Sequence, residues 1–296
     1  MGAAIVASRF AVAEVPPLTL AMLRYAIGFA CLLPFGWRGL AALVTGAAAS
    51  PAARTRKLDL LAMAALGIGQ FGVLIALLNF GLQYVGAAQA ALIFSLFPLL
   101  TLLLAAALGR ERVTPQLAAG VLVSIAGVAL SLWPKLGLPQ PGHWWGELAV
   151  AAAAGTGALC SVLYRPYLRR YPTVPVSAFA MLASVLLLAL LALGEDWPTR
   201  AGTLSGRAWA AIAFIGVSSG AGYFCWLYAL KHESPTRVTV FLALNPVTAA
   251  LLGWALLGEA LPPSALGALV LIGAGLWLAT RPAITRLPAG RKHARR

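Results

Sequence analysis

Carboxylates are the scarcest chemical group in this chain: 296 residues contain only eight Asp and Glu, against 22 Lys and Arg and three His. The acids are Glu14, Asp59, Glu111, Glu147, Glu195, Asp196, Glu233 and Glu259, and the histidines are His143, His232 and His293. All of them lie between or near the ends of the long apolar runs. No run therefore holds the acid/base pair or His/carboxylate cluster that hydrolytic chemistry or a metal site requires. Cysteine is equally sparse. Cys31, Cys160 and Cys225 sit in separate apolar runs without paired spacing, which excludes a disulfide framework and a zinc site and leaves them as small apolar filler. There is no Gly-rich Walker loop to cradle phosphates, so nucleotide-driven chemistry is not expected. No cofactor and no metal are expected. Charge of both signs makes up 10% of the chain, less than half of the roughly 25% carried by a soluble domain.

What is present is apolar: 61% of residues are hydrophobic and the mean hydropathy is +0.87. A hydrocarbon slab about 30 Å thick takes roughly 20 helical residues per crossing. Polar punctuation divides the chain into ten runs, predicted as membrane spans at 1 to 13, 18 to 35, 59 to 82, 85 to 108, 115 to 133, 144 to 165, 174 to 194, 208 to 230, 236 to 257 and 263 to 280. The net charge of +14 could point to nucleic acid, but the basic residues are confined to short loops and the tail. That is the pattern of topology signals, so the partner read here is the lipid bilayer and not nucleic acid. Arg54, Arg56, Lys57, Arg110, Arg169, Arg170 and the tail from Arg281 share one side of the ten-span layout; Lys135, Arg200 and Arg207 lie on the other. The bias places both termini in the cytoplasm, with the chain in the inner (plasma) membrane.

The chain also repeats itself. Tyr84 to Leu130 reappears without gaps 148 positions later as His232 to Leu278: Pro98 falls on Pro246, Glu111 on Glu259, Pro115 on Pro263 and Gly127 on Gly275. Each copy is an apolar run with a proline at mid-span, a tight turn carrying one glutamate, and a second apolar run opened by proline. Duplication of one unit makes the protein. Five spans per copy is an odd number, so the second copy enters the membrane from the opposite side. The expectation is an all-α polytopic membrane protein of ten transmembrane helices in two inverted five-helix repeats, residues 1–140 and 141–280, followed by a basic cytoplasmic tail, 281–296. Inverted repeats recur among secondary transporters, whose site lies near the midplane between the halves. The first span is about half as long as its counterpart, and the expectation is either a natural start upstream of an internal Met1 or a trimmed N-terminus. The segment MGAAIVASRF supports neither a signal peptide nor myristoylation.

Three stretches carry a family resemblance: PPLTLAMLR from Pro16, SLFPLLTLLLAAALGRERVTPQLAAG from Ser95, and LNPVTAALLGWALLGEAL from Leu244. The chain resembles the EamA-type branch of the drug/metabolite transporter superfamily, with a mid-helix proline, a glycine-glutamate turn and a glycine-rich following helix in each half. The second turn keeps Gly258-Glu259; the first departs as Gly109-Arg110-Glu111. The resemblance implies a ten-helix inner-membrane carrier that exports or exchanges small metabolites, commonly amino acids, through a central cavity between the halves.

Within that frame several residues are candidates for function. Helical spacing places Ser219, Tyr223, Trp226 and Leu230 on one stripe of span 8, whereas Phe71, Ile75, Leu78 and Leu82 form the counterpart stripe of span 3, with Asn79 adjoining. An aromatic, polar wall facing an apolar one suits an amphipathic solute; helix packing is the alternative for these residues. In span 9, Phe241, Asn245 and Thr248 form a second stripe with Arg237 about a turn before it, and Asn245 precedes Pro246, whose ring frees a carbonyl one turn back. An amide beside that carbonyl either coordinates a substrate or repairs the kink. Pro98 and Pro246 are expected to kink spans 4 and 9 so that they swing. Glu111 and Glu259 are expected to lock their turns by accepting from the open N–H groups of the next helix. Arg24 lies inside span 2, where an unpaired cation costs about 2.5 to 3.5 kcal/mol or more. Its partner could be Glu14, helix-end carbonyls or a substrate carboxylate, and a structural role is the expectation.

Without a carboxylate or imidazole at mid-membrane, passive or exchange transport is expected in place of tight proton coupling. Gly216-Val217-Ser218-Ser219-Gly220 matches a nucleophile-elbow pattern but lies in an apolar helix with no base to activate it, and is read as chance. The chain is therefore not read as an enzyme. The functional expectation is a secondary transporter of small metabolites, with amino acids or related amphipathic compounds favoured. A carrier for a drug-like compound, nucleobase or sugar derivative, or a receptor or scaffold, remains the alternative.

Overall fold

The computed structural model describes residues 2–45, 53–109, 114–136, 144–200, 202–233, 235, 238, 244–258 and 263–280. Every regular element among them is helical. In chain order these are α1 (Gly2–Ala11), α2 (Pro17–Thr45), α3 (Ala53–Gly67), a π-helical turn (Ile68–Val73), α4 (Leu74–Tyr84), α5 (Ala87–Phe94), α6 (Leu96–Ala107) and α7 (Pro115–Leu136). There follow α8 (Trp144–Arg170), α9 (Thr173–Leu191) with a short 3₁₀ turn (Ala192–Glu195), α10 (Trp197–Arg200), α11 (Gly206–His232), α12 (Leu244–Leu257) and α13 (Pro263–Thr280). Among the described residues, six stretches are long and apolar enough to cross a membrane: Pro17–Leu43, Lys57–Tyr84, Ala87–Ala107, Trp144–Arg170, Thr173–Glu195 and Gly206–His232. Gly2–Ala11, Ala118–Leu130, Thr248–Leu257 and Pro263–Leu278 are shorter apolar helices. The architecture is that of a polytopic membrane protein.

Two helices run past the expected span ends and through prolines. The second span was expected to end at 35, yet α2 continues to Thr45 with Pro34 inside it, which makes Arg38 helical. Likewise α8 passes through Pro166 to Arg170, five residues beyond the expected boundary. A proline removes one backbone donor and crowds the carbonyl four residues back, but neighbouring helices in a membrane bundle re-satisfy the freed group and the helix resumes. Span 4 does break. Ser95 separates α5 from α6, its hydroxyl donating to the Leu92 carbonyl at 2.5 Å, and the break falls one turn before Pro98. Span 3 carries the π turn, which places Gln70, Phe71 and Gly72 in the interior.

Small residues let the helices approach closely, as membrane packing requires when apolar burial alone provides little drive. In the pair α7 and α13, the Ser124 hydroxyl donates to the Ile272 carbonyl at 3.4 Å. A Cβ on Gly127 would lie 3.0 Å from the Ala268 oxygen, and one on Gly275 would lie 2.6 Å from the Gly120 oxygen. Numbers rise along one helix as they fall along the other, so the pair is antiparallel. Likewise α2 crosses α11 where Gly28 meets Gly220, a Cβ on Gly28 coming 3.3 Å from the Gly220 nitrogen, with Gly216 against Ile27. The glycines of the apparent nucleophile motif are thus contact points, and the Ser218 hydroxyl donates to the Ile215 carbonyl of its own helix. Elsewhere α1 packs on α11 and α12, and α8 on α4, α5 and α6.

Polar ties close both ends of the bundle. At one end Glu195 accepts from the Leu18 and Thr19 backbone N–H groups (3.1 and 2.7 Å) and from the Thr19 hydroxyl (2.8 Å), capping α2. There too, Glu14 accepts from the Ser205 hydroxyl at 3.0 Å, beside the N-terminus of α11 that Ser205 caps. At the other end the Tyr171 hydroxyl donates to Asp59 at 3.0 Å, with Arg170 at 3.4 Å.

Candidate functional site

The site follows from where the central helices turn their polar and aromatic side chains. Span 3, with its π turn, presents Gln70, Leu74, Ile75 and Leu78 to a central cavity. A π turn adds a residue to one helical turn and is found frequently at functional sites. From α2 comes Arg24, from α5 and α6 Phe94 and Phe97, from α11 Tyr223 and Trp226, and from α1 Ala4 and Ile5. These elements lie on both sides of the sequence duplication.

The cavity has a cationic corner and an aromatic wall. Arg24, 5% exposed, donates through Nε to the Ser219 hydroxyl at 2.6 Å, and that hydroxyl in turn donates to the Ile215 carbonyl at 2.6 Å. Its guanidinium carbon is 5.5 Å from the centre of the Tyr25 ring, a contact that partly offsets desolvation. No carboxylate among the described residues lies within ion-pair distance of it; Glu14, one of its expected partners, is engaged with Ser205. Tyr25, Phe71 and Tyr223 form a cluster with centroids 4.8 to 5.6 Å apart, and Trp226 meets Phe97 edge to face at 5.9 Å. Such tilted and T-shaped pairs suit the ring quadrupole. The Trp226 indole N–H and the Gln70 amide oxygen have no hydrogen-bond partner among the described residues, although both side chains are more than nine-tenths buried.

The space enclosed is small, about 20 Å³ for the centres of water-sized molecules, where one water needs roughly 10 to 15 Å³. An amino-acid-sized solute fits only when helices or rings move apart. Two larger grooves, of about 520 and 420 Å³, open on the flanks. One is lined by Cys31, Phe35, Val217 and Phe224 and the other by Leu18, Phe80, Leu188 and Glu195, among others. Convergent polar groups distinguish a ligand site from mere volume, and on that criterion the central cavity is the candidate.

The candidates from sequence divide accordingly. Tyr223 and Trp226 line the cavity and Ser219 holds Arg24. Asn79 is fully buried but donates to the Pro17 carbonyl at 3.1 Å, tying α4 to the start of α2. Asn245 is buried, its carbonyl accepting from the exposed Thr248 hydroxyl at 3.0 Å, and Gly2 of α1 packs against both residues; neither side chain lines the cavity. Pro98 lies in α6 just after the break at Ser95, and Pro246 is the third residue of α12. Glu111 and Glu259 lie outside the described residues, as do Arg237 and Phe241; the glycines Gly109 and Gly258 before those turns both adopt positive φ, +68° and +64°, as at a helix C-terminus. Sequence reasoning missed Gln70. An amide midway along an apolar run was the available signal, since polar groups at membrane depth mark pathways.

The sequence pattern of the EamA-like transporter family matches the chain twice, over residues 1–133 and 142–281. The chain belongs to this family. It is 28% identical over 287 residues to an uncharacterized transporter of Archaeoglobus fulgidus, covering 95% of this chain and 94% of that one. It is 32% identical over 243 residues to a protein of Streptantibioticus cattleyicolor named "probable terminal-alkyne amino-acid exporter", covering 81% and 77%. An aromatic amino acid exporter of Ancylobacter novellus shares 32% identity over 199 residues, 65% of this chain and 67% of that one. A solved crystal structure superposes with a TM-score of 0.68 at 27% identity, covering 94% and 95% of the two chains. The EamA relatives are named as transporters, not as enzymes, and the chain is a multi-pass membrane protein of that family.

Proposed function

We propose that this EamA-family protein is a secondary carrier that exports or exchanges small amphipathic metabolites, with amino acids favoured, by alternating access. The observation that carries the reading is the central cavity: helices from both copies of the repeat converge on it, and it joins one cationic corner to an apolar and aromatic wall. Two relatives named as amino-acid exporters support the substrate class. The antiparallel contact of α7 with α13, in which sequence counterparts meet, supports two inverted five-helix repeats, 1–140 and 141–280, with the basic stretch 281–296 proposed as a cytoplasmic tail. The distribution of Lys and Arg supports cytoplasmic termini. On that layout the ties at Glu14 and Glu195 close the outer end and the Asp59 tie closes the inner end. Breaking one set while the other holds alternates access, with the break before Pro98 as one hinge and the proline at Pro246 as the proposed other.

Counterflow in proteoliposomes tests this. Vesicles loaded with neutral and aromatic amino acids should take up labelled substrate by exchange, with or without an imposed pH gradient. Exchange that vanishes without the gradient would refute exchange without obligatory proton coupling; no exchange of any amino acid would refute the substrate class.

A further inference from the structure

We infer that Arg24 is the receptor for a carboxylate on the transported solute, with Gln70 receiving the ammonium of an α-amino acid beside it. This rests on the proposed carrier reading and specifies how the cavity chooses its substrate.

A guanidinium presents two hydrogen-bonding edges. Arginine has five N–H donors in a fixed planar fork. Here Nε is committed to Ser219, and the serine hydrogen is turned to the Ile215 carbonyl, so the hydroxyl presents a lone pair to the arginine. That bond fixes the ring-like plane of the guanidinium and leaves the two terminal nitrogens, which reach no described acceptor, in the wall of the cavity. Two parallel N–H groups match the two oxygens of a carboxylate. Of the six described acids, four are occupied elsewhere, Glu14 on Ser205, Glu195 on α2, Asp59 on Tyr171 and Glu147 on Gln89, and none of the six lies within ion-pair distance of Arg24. A cation so buried, held rigid by a neighbouring helix and not by an anion, is poised for an anion that arrives.

The rest of the lining complements the other parts of such a molecule. The Gln70 amide oxygen is an unused acceptor suited to an ammonium, the Trp226 indole N–H is an unused donor, and Leu74, Ile75 and Phe97 supply an apolar surface for a side chain. An amine lacking a carboxylate would bring its charge against Arg24 with nothing to neutralise either.

The test uses purified protein in detergent and four probes: L-phenylalanine, L-phenylalaninamide, phenylacetate and phenylacetamide, with affinity read from tryptophan fluorescence or thermal shift. Each carboxylate should bind at least about tenfold more tightly than its amide, the size expected for hydrogen bonds to a charged group. Arg24→Gln should remove that ratio while leaving phenylacetamide binding within about twofold, and Arg24→Lys should retain part of it. Gln70→Leu should weaken L-phenylalanine but not phenylacetate. Equal binding of acids and amides by the wild-type protein, or absence of binding by all four, overturns the assignment, and the wild-type comparison stands even if Arg24→Gln does not fold. The outcome separates from that of counterflow: exchange without carboxylate preference removes Arg24's role and leaves the carrier, and carboxylate preference without exchange does the reverse.

Discussion

Ser124 and Ile272 are 148 residues apart, the same offset that separates the two copies of the repeat, and the serine hydroxyl donates to the isoleucine carbonyl. Each residue is thus hydrogen-bonded to its own counterpart. The neighbouring contacts are reciprocal: Gly127 rests on residues 268 and 272, and Gly275 on residues 120 and 124, again at that offset. A contact that maps onto itself when the copies are exchanged is what a twofold axis between α7 and α13 produces. It supports the proposed inverted repeat more directly than hydropathy does.

The crossing predicts a sharp difference between two glycines on one helix. A Cβ on Gly275 would meet the Ser124 hydroxyl and lie 2.6 Å from the Gly120 carbonyl oxygen, whereas one on Gly273 would meet nothing within 4 Å. Gly275→Ala should therefore destabilise by about 1 to 3 kcal/mol, the range for overpacking. Gly273→Ala should be neutral or stabilising by up to about 1 kcal/mol, the helix-propensity gain. Apparent melting temperatures in detergent check both; equal effects would remove the close crossing.

The apolar runs and the 148-residue offset made the helices and the duplication legible, because hydropathy over a full span averages out local detail. What stayed hidden is local. The spans expected to end at 35 and 165 run on as helix to Thr45 and Arg170, through Pro34 and Pro166, which a packed bundle tolerates. The π turn around Gln70 alters which face looks inward without changing composition. Asn79 shares a helix face with cavity residues, and only the position of the start of α2 turns it into a structural tie. Arg24 was legible as a buried charge, but Ser219 as its holder depends on the glycine crossing of α2 and α11.

Glu195 predicts a stability effect across the two halves. Its carboxylate accepts two backbone N–H groups from the first turn of α2, which have no partner within that helix. Side-chain caps of this kind contribute about 0.5 to 2 kcal/mol. Glu195→Ala should lower the apparent melting temperature accordingly, and Glu195→Gln, whose single amide oxygen still accepts, should fall between it and the wild type. A Glu195→Ala protein as stable as the parent would show that the tie adds nothing.

Gly157 predicts a change in the cavity made from outside it. A Cβ at this position of α8 would collide with the Phe97 ring and come within 2.5 Å of Leu74, and both of those side chains line the site. Gly157→Ala should push Phe97 toward Trp226 and reduce exchange by about tenfold or more, since about 1.4 kcal/mol suffices for that factor. Adding Phe97→Leu should restore much of the lost exchange by relieving the collision. If the double variant is no better than Gly157→Ala, the loss comes from elsewhere in the bundle.

Trp226 and Asn79 provide the final contrast, because both are buried polar-bearing residues and only one lines the cavity. Trp226→Phe keeps an aromatic ring against Phe97 but deletes the indole N–H that the cavity presents. It should raise the KM for exchange severalfold, in line with loss of a hydrogen bond worth about 0.5 to 1.5 kcal/mol, with little change in melting temperature. Asn79→Ala removes the donor to the Pro17 carbonyl and leaves a gap in a fully buried position. It should cost about 1 to 3 kcal/mol of stability while leaving the KM of the protein that remains folded near the wild-type value. The two measurements together decide the matter: a KM change at Asn79 with stability intact would put that amide in the substrate path, and the cavity would have to be redrawn to include it.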